Sequence, residues 1–242
     1  MKFECKCCGT CCRIFKDVEK GLTGLPLFEW EKEELENIAK EKGIKLNIQP
    51  TDLVFDKRSG FYICGNFSLK HEPCPFLVNN KCSIYEHRPL VCKAYPLVDN
   101  PLYNKDHRFD LSSFMKCQNF DFKSLLKEHF SLEEGKPYHI SQGKLIKEYS
   151  QVFGEDILIN ATIHSLLKDF MDKEICDLIK NNDVKLRKVS KLDYSKYTPS
   201  PFFEFLTKIG KCDENEKKVI IHKLTDYQMV KDAIEQHKKS GD

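Results

Sequence analysis

The chain has 242 residues, of which 40% are hydrophobic, and its 39 Lys and Arg nearly balance its 37 Asp and Glu. A formal net charge of +2 excludes general electrostatic capture of nucleic acid or of an anionic membrane, although individual patches can still be basic. No stretch approaches the roughly 20 apolar residues that cross a bilayer, and the first residues lack the apolar run of a secretory signal. We therefore expect a cytoplasmic protein with no membrane or nucleic-acid partner, and leave an unidentified protein partner open.

The first part of the chain, 1–120, is predicted to be a small cysteine-rich metal-binding domain with a short β-hairpin and a helix. Apolar residues recur at near-helical spacing from Glu29 to Lys42, and Gly43 can end that helix. Strand composition at 51–56 and 61–69 flanks a plausible hairpin turn at 57–60.

The segment 70–92 is rich in Pro, Cys and Asn, and is expected to be irregular with one short turn of helix at 84–87. The second part, 121–242, is predicted to be a mostly α-helical extension of unknown role. Its candidate helices are 122–130, 143–153, 157–179, 199–209 and 214–238. The aromatic run 201–205 is expected to pack on the core rather than to form a partner-docking surface. The fold class predicted from these elements is α+β.

The distribution of the 12 cysteines is the most informative feature of the sequence. Five lie in the first twelve residues, at positions 5, 7, 8, 11 and 12, and five more follow at 64, 74, 82, 92 and 117. A chain of this length does not need disulfides for stability, and the cytosol keeps thiols reduced. Clustered thiols in such a chain indicate metal binding or redox chemistry.

Within the first group, Cys5, Cys8 and Cys11 form the pattern C-x2-C-x2-C. This spacing turns successive thiolates towards one point and equals the first three ligands of a bacterial ferredoxin run. The fourth ferredoxin cysteine would stand at position 15, which is Phe15. The motif is therefore not that of a ferredoxin, and further ligands must come from elsewhere.

The second group can supply these ligands through Cys74, Cys82 and Cys92. Prolines around these thiols limit the entropy cost of ordering a site. Crowded thiolates repel one another, and coordination to a cation deprotonates and neutralises them. Arg88 is the basic residue best placed by the sequence to offset the excess negative charge, and Arg13 and Lys93 are further candidates.

The spacing also bears on the identity of the metal. Closed zinc sites with four cysteines usually use two C-x2-C knuckles, whereas the second group here is spread as C-x7-C-x9-C. Three closely spaced thiols with remote completion favour a [4Fe–4S] cluster, and Zn²⁺ is the alternative.

Not every cysteine is expected to be a ligand. Cys7 falls outside the C-x2-C spacing, and adjacent Cys11 and Cys12 are expected to point apart, so that one of them need not ligate directly. Packing positions in the interior are predicted for Cys64, Cys176 and Cys212. Among the histidines, His87 is expected at the surface, and His71 or His107 could replace a thiolate.

The ordered blocks of this region resemble the YkgJ-like cysteine-cluster family, which is named for zinc or iron chelation and is often labelled an iron–sulfur protein. The blocks are Phe3-x-Cys5-x-x-Cys8-Gly9-x-Cys11-Cys12-Arg13, Cys74-x-Phe76-Leu77, and Cys82-x-Ile84-Tyr85-Glu86-x-Arg88-Pro89-x-x-Cys92-x-x-Tyr95-Pro96. The metal ligands that this resemblance implies are Cys5, Cys8, Cys11, Cys12, Cys74, Cys82 and Cys92, with Cys117 as a possible eighth. The flagellin lysine N-methylases look like enzymatic relatives, but fold similarity does not transfer a reaction.

Other motifs of known chemistry are missing from the sequence. There is no radical-SAM C-x3-C-x2-C, no dinucleotide-binding G-x-G-x-x-G, no P-loop and no G-x-S-x-G. Three hypotheses follow: an iron–sulfur protein acting in electron transfer, redox sensing or a structural role; a zinc-stabilised binding module without catalysis; and a lysine methyltransferase-like enzyme with the cluster domain as scaffold. Whether the protein is an enzyme stays undecided at this point.

Overall fold

The computed structural model describes residues 3–6, 8–9, 11–13, 24–70, 73–97, 121, 142–190, 192–194 and 196–240. Four predicted features lie outside these residues: the helix at 122–130, the boundary between 120 and 121, the thiols of Cys7 and Cys117, and the side chains of His71 and His107. The two domains predicted from the sequence therefore stay a prediction. The chain forms two compact units, of which the first comprises 1–14, 76–166 and 225–242, and the second comprises 15–75 and 167–224.

The described residues form helices and short strands. The helices are α1 (Glu29–Glu41), α2 (Leu90–Ala94), α3 (Gln142–Phe153), α4 (Glu155–Lys180), α5 (Phe202–Lys208), α6 (Glu214–Thr225) and α7 (Tyr227–Ser240). The strands are β1 (Leu25–Leu27), β2 (Ile48–Asp56), β3 (Tyr62–Leu69), β4 (Leu77–Val78), β5 (Lys81–Cys82), β6 (Leu186–Lys188) and β7 (Ser200–Pro201). A 3₁₀ turn covers Tyr85–His87. The fold is α+β, as predicted.

The second unit is built on a five-stranded sheet. Its strands follow the order β1-β3-β2-β6, all antiparallel, and β7 pairs in parallel with β3. Side chains of α1 and α5 supply the core, including Leu35, Phe202, Phe203 and Phe205, each at most 2% exposed. The aromatic run at 201–205 is thus a core element, as predicted, because its rings are buried.

Three carboxylates are buried within the second unit, Glu29, Glu31 and Asp56, and two of them, Asp56 and Glu29, join distant parts of the chain. Asp56 accepts hydrogen bonds from the backbone N–H groups of Arg58, Ser59 and Lys185 and from the Ser59 hydroxyl. Glu29 accepts the N–H of Phe203 at 3.2 Å and pairs with Lys217 at 2.7 Å. Both therefore tie separate stretches of chain together.

The first unit is less regular around its cysteines. It contains the amino-terminal loop 3–13, the two-stranded hairpin of β4 and β5, and helix α2. Helices α3 and α7 pack together, and Lys238 of α7 pairs with Glu155 at 3.0 Å. The Tyr227 hydroxyl donates to Asp156, which fixes the start of α7 to the start of α4.

Most predicted elements are confirmed, with three differences. The segment 70–92 contains the β4–β5 hairpin, and α2 begins within it, although irregular structure was predicted. The predicted helix 214–238 is two helices, α6 and α7, separated at Asp226. The part predicted as helical also supplies β6 and β7, because partners for such short edge strands come from tertiary pairing rather than from local pattern.

Candidate metal centre

The amino-terminal loop is anchored at its start by Phe3. Its N–H donates to the carbonyl oxygen of Val152 at 2.6 Å, and its ring lies 6.3 Å from that of Phe153. Farther on, Gly9 has φ +71°, and the Cys12 N–H donates to the Gly9 carbonyl oxygen at 3.1 Å. Since a positive φ costs glycine little, this position can form the tight turn that carries the C-x2-C-x2-C thiols.

Adjacent Cys11 and Cys12 do not point apart, contrary to the prediction. Their Sγ atoms lie 4.0 Å apart and interact as a weak hydrogen bond. The pair can therefore face a common ligand.

Neighbouring thiols change the pKa of Cys11. The hydrogen bond with Cys12, burial, and the charges of Cys12 and Cys8 together raise the pKa of Cys11 far above its ordinary value of 9.0. The thiolate is disfavoured because like charges and desolvation both penalise it. A bound cation would reverse this preference by neutralising the sulfurs.

Cys82, from the second group of cysteines, lies near Cys11 of the amino-terminal loop. It ends strand β5, is half-buried, and feels the charge of Cys11 although 70 positions separate the two residues in sequence. Burial raises the pKa of Cys82, whereas the Ile84 backbone and the Arg88 guanidinium lower it and Cys11 raises it further. Cys82 is therefore close enough to Cys11 for their charges to interact, and the full ligand set stays a prediction.

Arg13 links the two segments directly. Its guanidinium donates to the Gly9 carbonyl oxygen at 3.1 Å and to Asn80 Oδ1 at 3.1 Å. Gly9 also packs so closely on Leu77 that a Cβ there would lie 3.1 Å from a Leu77 methyl group. The loop and the hairpin are therefore held together by protein contacts alone.

Sequence reasoning did not identify Asn80 as part of the site. Asn79 and Asn80 have φ values of +49° and +62° and form the two-residue turn between β4 and β5. Asn is among the few residues that accept this conformation, and two-residue turns of this kind favour it. The Asn-Asn pair was the available signal.

Arg88 lies beside the site, as expected. Its Nε donates to the Tyr85 carbonyl oxygen at 2.8 Å and its guanidinium carbon stacks 3.6 Å from the centre of the Tyr85 ring. These contacts hold its charge near Cys82 and help to lower the pKa of that thiol. His87 is exposed, which confirms its predicted surface position.

For the remaining predicted ligands among the described residues, the structure gives the position and the burial. Cys5 is exposed in the loop, Cys92 is half-buried on α2, and Cys74 is half-buried in the second unit. The ten described cysteines all carry free thiols. Within the described ranges, no three His, Cys, Asp or Glu side chains lie close enough together to hold a metal ion, so metal binding requires the sulfurs to move closer.

Three cysteines were predicted to be packing residues. Cys64 is fully buried, its pKa is raised to about 12 by burial and by Glu29, and its thiol donates to the Ser200 carbonyl oxygen. Cys212 is also buried. The prediction was wrong for Cys176, which is exposed on α4 because it falls on the outer face of that helix.

The donor set fits a thiolate-bound metal. Four soft sulfur donors are available: Cys8, Cys11, Cys12 and Cys82. Burial and neighbouring thiols raise the pKa of Cys11 and Cys82, and a bound cation would favour their thiolate forms instead. Arg13 and Arg88 supply positive charge beside them. Zinc and iron–sulfur clusters both accept such donors.

Comparison with known proteins agrees with this chemistry. Residues 4–127 match the CxxCxxCC family, described as a "putative zinc- or iron-chelating domain". No curated protein and no solved structure matches the chain. No helix among the described residues is long and apolar enough to cross a membrane. Since the match spans half of its length, the chain belongs to the CxxCxxCC family of zinc- or iron-chelating domains.

Proposed function

We propose that this metal-binding protein holds a [4Fe–4S] cluster through cysteines of its amino-terminal loop and of the segment 74–92, and that this ligation organises the fold between them. The observation that carries the proposal is the 4.0 Å distance between the Cys11 and Cys12 sulfurs, and the effects of Cys8 and Cys12 on the pKa of Cys11 and of Cys11 on that of Cys82 support it. Neighbouring thiolates repel one another, and a bound cation removes that repulsion.

The ligand assignment follows from proximity. The four coupled thiols are the proposed nearest donors: Cys8, Cys11, Cys12 and Cys82. The other donors implied by the family resemblance are Cys5, Cys74, Cys92 and Cys117. More thiols than one cubane needs are therefore available, and those that do not ligate can donate hydrogen bonds to the sulfurs of the centre.

A structural role is supported by how little else holds this region. The described residues of the loop 3–13 form no helix or strand, and the hairpin of β4 and β5 has two residues per strand. Elements this short are marginal by themselves. Where a preformed site is incomplete, the free energy of metal binding becomes free energy of folding.

Zinc is the second candidate, and the distance between the Cys11 and Cys12 sulfurs favours it. Two thiolates on a tetrahedral zinc ion are about 3.8 Å apart, since each Zn–S bond is about 2.3 Å. The Cys11 and Cys12 sulfurs are 4.0 Å apart, close to that value. In a cubane each iron usually takes one cysteine, so Cys11 and Cys12 would have to bind different irons.

Anaerobic purification with analysis of iron, sulfide and zinc distinguishes the two candidates. We expect iron and sulfide in equal amounts and a broad absorption at about 400 nm that bleaches on reduction. Zinc as the sole metal would replace the cluster with the second candidate, and a protein without either metal would contradict both.

Variants locate the centre. We expect Cys11→Ser and Cys82→Ser to lose metal, because each removes a coupled thiol. Cys176→Ser is the matched control, since it removes an exposed thiol from α4. Equal metal content in Cys82→Ser and in the control would contradict the proposed convergence of the two segments.

A further inference from the structure

A group of positively charged side chains lies at one end of the sheet in the second unit. Its members, which we call the cationic corner, are Lys57, Arg58, Lys185, Arg187 and Lys188, and all five are exposed. Lys57 and Arg58 belong to the turn between β2 and β3, and the other three belong to β6 or directly precede it.

The cationic corner carries more positive charge than the Asp56 carboxylate at its base can offset. Within the part of the chain that the structure describes, none of its five side chains forms an ion pair. Other lysines of the same unit do have a carboxylate partner within 4.0 Å: Lys180, Lys196, Lys208, Lys211 and Lys217. The corner is therefore a local excess of positive charge in a chain whose net charge is only +2.

The backbone of the corner is fixed by the buried Asp56. This carboxylate accepts the N–H of Arg58 at 3.2 Å and that of Lys185 at 2.7 Å, and the Lys57 N–H donates to the Lys185 carbonyl oxygen at 3.0 Å. The turn and strand β6 are thus joined at their base. Such a frame presents the cations in a preorganised arrangement, which lowers the entropy cost of binding.

A row of aromatic rings crosses the sheet beside these cations. Phe55 lies opposite Arg187 on one side and opposite Tyr62 on the other, so these three side chains share one face. The rings of Phe55 and Tyr62 are 4.8 Å apart, and that of Tyr197 lies 4.9 Å from Tyr62. Tyr197 is 47% exposed, which leaves ring surface open to solvent.

We propose that this face of the sheet binds single-stranded nucleic acid, with phosphates on the cationic corner and bases against the aromatic row. A groove of positive charge combined with aromatic side chains is the arrangement by which proteins hold single strands without strong sequence preference. An acidic peptide would use the cations but would leave the rings without stacking partners. The absence of a nucleic-acid partner was predicted from net charge alone, which cannot report such a local excess.

Binding is tested with the full-length protein and a fluorescein-labelled oligouridylate of 15 nucleotides, followed by fluorescence anisotropy. We expect a dissociation constant that rises about 50-fold between 50 and 200 mM salt if about four phosphates are contacted. No binding at the lower salt concentration would overturn the proposal.

Variants separate the corner from general surface charge. We expect Lys185→Gln with Arg187→Gln to weaken binding about tenfold, and the control Lys40→Gln with Lys45→Gln to leave it unchanged. The control removes the same charge from exposed positions away from the β2–β3 turn. Equal losses in both double variants would overturn the assignment to this face.

Substitutions of Tyr197 test whether the aromatic rings contribute to binding. We expect Tyr197→Ala to weaken binding about tenfold and Tyr197→Phe to restore it, because stacking needs the ring and not the hydroxyl. Polyglutamate and vesicles containing phosphatidylserine are the competing polyanions. Displacement of the oligonucleotide by either one at equal charge concentration would overturn the assignment to nucleic acid. These outcomes do not depend on the metal content of the protein.

Discussion

The sheet of the second unit and the thiol-bearing region of the first unit are stabilised in different ways. The sheet buries aromatic side chains such as Phe203 and Phe205 at 1% exposure, and its buried carboxylates are all provided with hydrogen bonds or a cation. The thiol-bearing region has short elements and half-buried cysteines whose charged forms crowd one another.

This difference shows which region can fold by its own side chains. A sheet with an apolar core and satisfied polar groups needs no ligand. A loop with crowded thiols gains its order from the protein contacts of Arg13 and, in our proposal, from a metal. Four changes would break or sharpen the comparison.

The largest effect is expected from metal removal. We expect a chelator, applied under reducing conditions, to raise amide hydrogen exchange in 3–13 and 76–97 while β2 and β3 keep their protection, because only the first region depends on the metal. Mass spectrometry of the exchanged peptides measures this. The Cys176→Ser protein serves as control, and equal deprotection of β2 and β3 would contradict the comparison.

The next effect concerns the buried ion pair of the second unit. We expect Lys217→Met to destabilise the protein by about 3 kcal/mol, because the Glu29 carboxylate loses its cation while it stays buried. Urea denaturation gives the free energy of unfolding, and metal content should not change.

The same variant has a defined pH dependence. Burial raises the pKa of Glu29 above its ordinary value of 4.5, so the folded protein binds this proton more readily than the unfolded chain does. The stability lost in Lys217→Met should therefore be partly regained as the pH falls towards 4.5. Adding Glu29→Gln should remove this dependence, and an unchanged slope would show that another group titrates.

Asp56 should respond to pH in the opposite direction. Burial pushes its pKa up, but hydrogen bonds from Ser59, Lys185 and Arg58 outweigh burial, so its pKa lies below the ordinary value of 3.8. Its contribution to stability is complete above that value and is lost as the pH falls through the lower folded value.

We therefore expect Asp56→Asn to cost about 2 kcal/mol at neutral pH and less in acid, because charge-assisted hydrogen bonds are lost. Acid unfolding followed by circular dichroism measures this difference. The exposed Asp52→Asn is the control, and a loss that is equal at every pH would point to side-chain geometry rather than charge.

The smallest effect is expected at Arg13. We expect Arg13→Ala to release metal about fivefold faster to a chelator, since the hydrogen bond to Asn80 on the hairpin and the bond to the Gly9 carbonyl oxygen within the loop are lost. Arg13→Lys keeps the charge but not the forked geometry and should recover only part of the effect. Lys81→Ala is the control, because it removes an exposed cation from the same hairpin. If this variant releases metal as fast as Arg13→Ala, the loss of positive charge, and not the loss of the Arg13–Asn80 hydrogen bond, explains the result.

Local signals account for much of the fold and for part of the site. Helix α1 ends before Gly43 with φ +66°, and β2 and β3 pair around their predicted turn, because spacing and turn residues act within a few positions. The hairpin at Asn79 and Asn80 was missed although its signal was local. The exposure of Cys176 could not be read from the sequence, since apolar composition does not say which face of a helix is covered.

The sequence alone determined the α+β class, the long helices, the core role of the aromatic run at 201–205, and the grouping of thiols that marks the family. Only the tertiary structure decided that Cys82 lies close enough to Cys11 for their charges to interact, that Arg13 donates to Asn80, and that β6 and β7 complete the sheet. The physical reason is the distance over which each effect acts along the chain. Propensity and residue spacing act between near neighbours in sequence, whereas charge interactions and strand pairing depend on which distant segments the folded chain brings together.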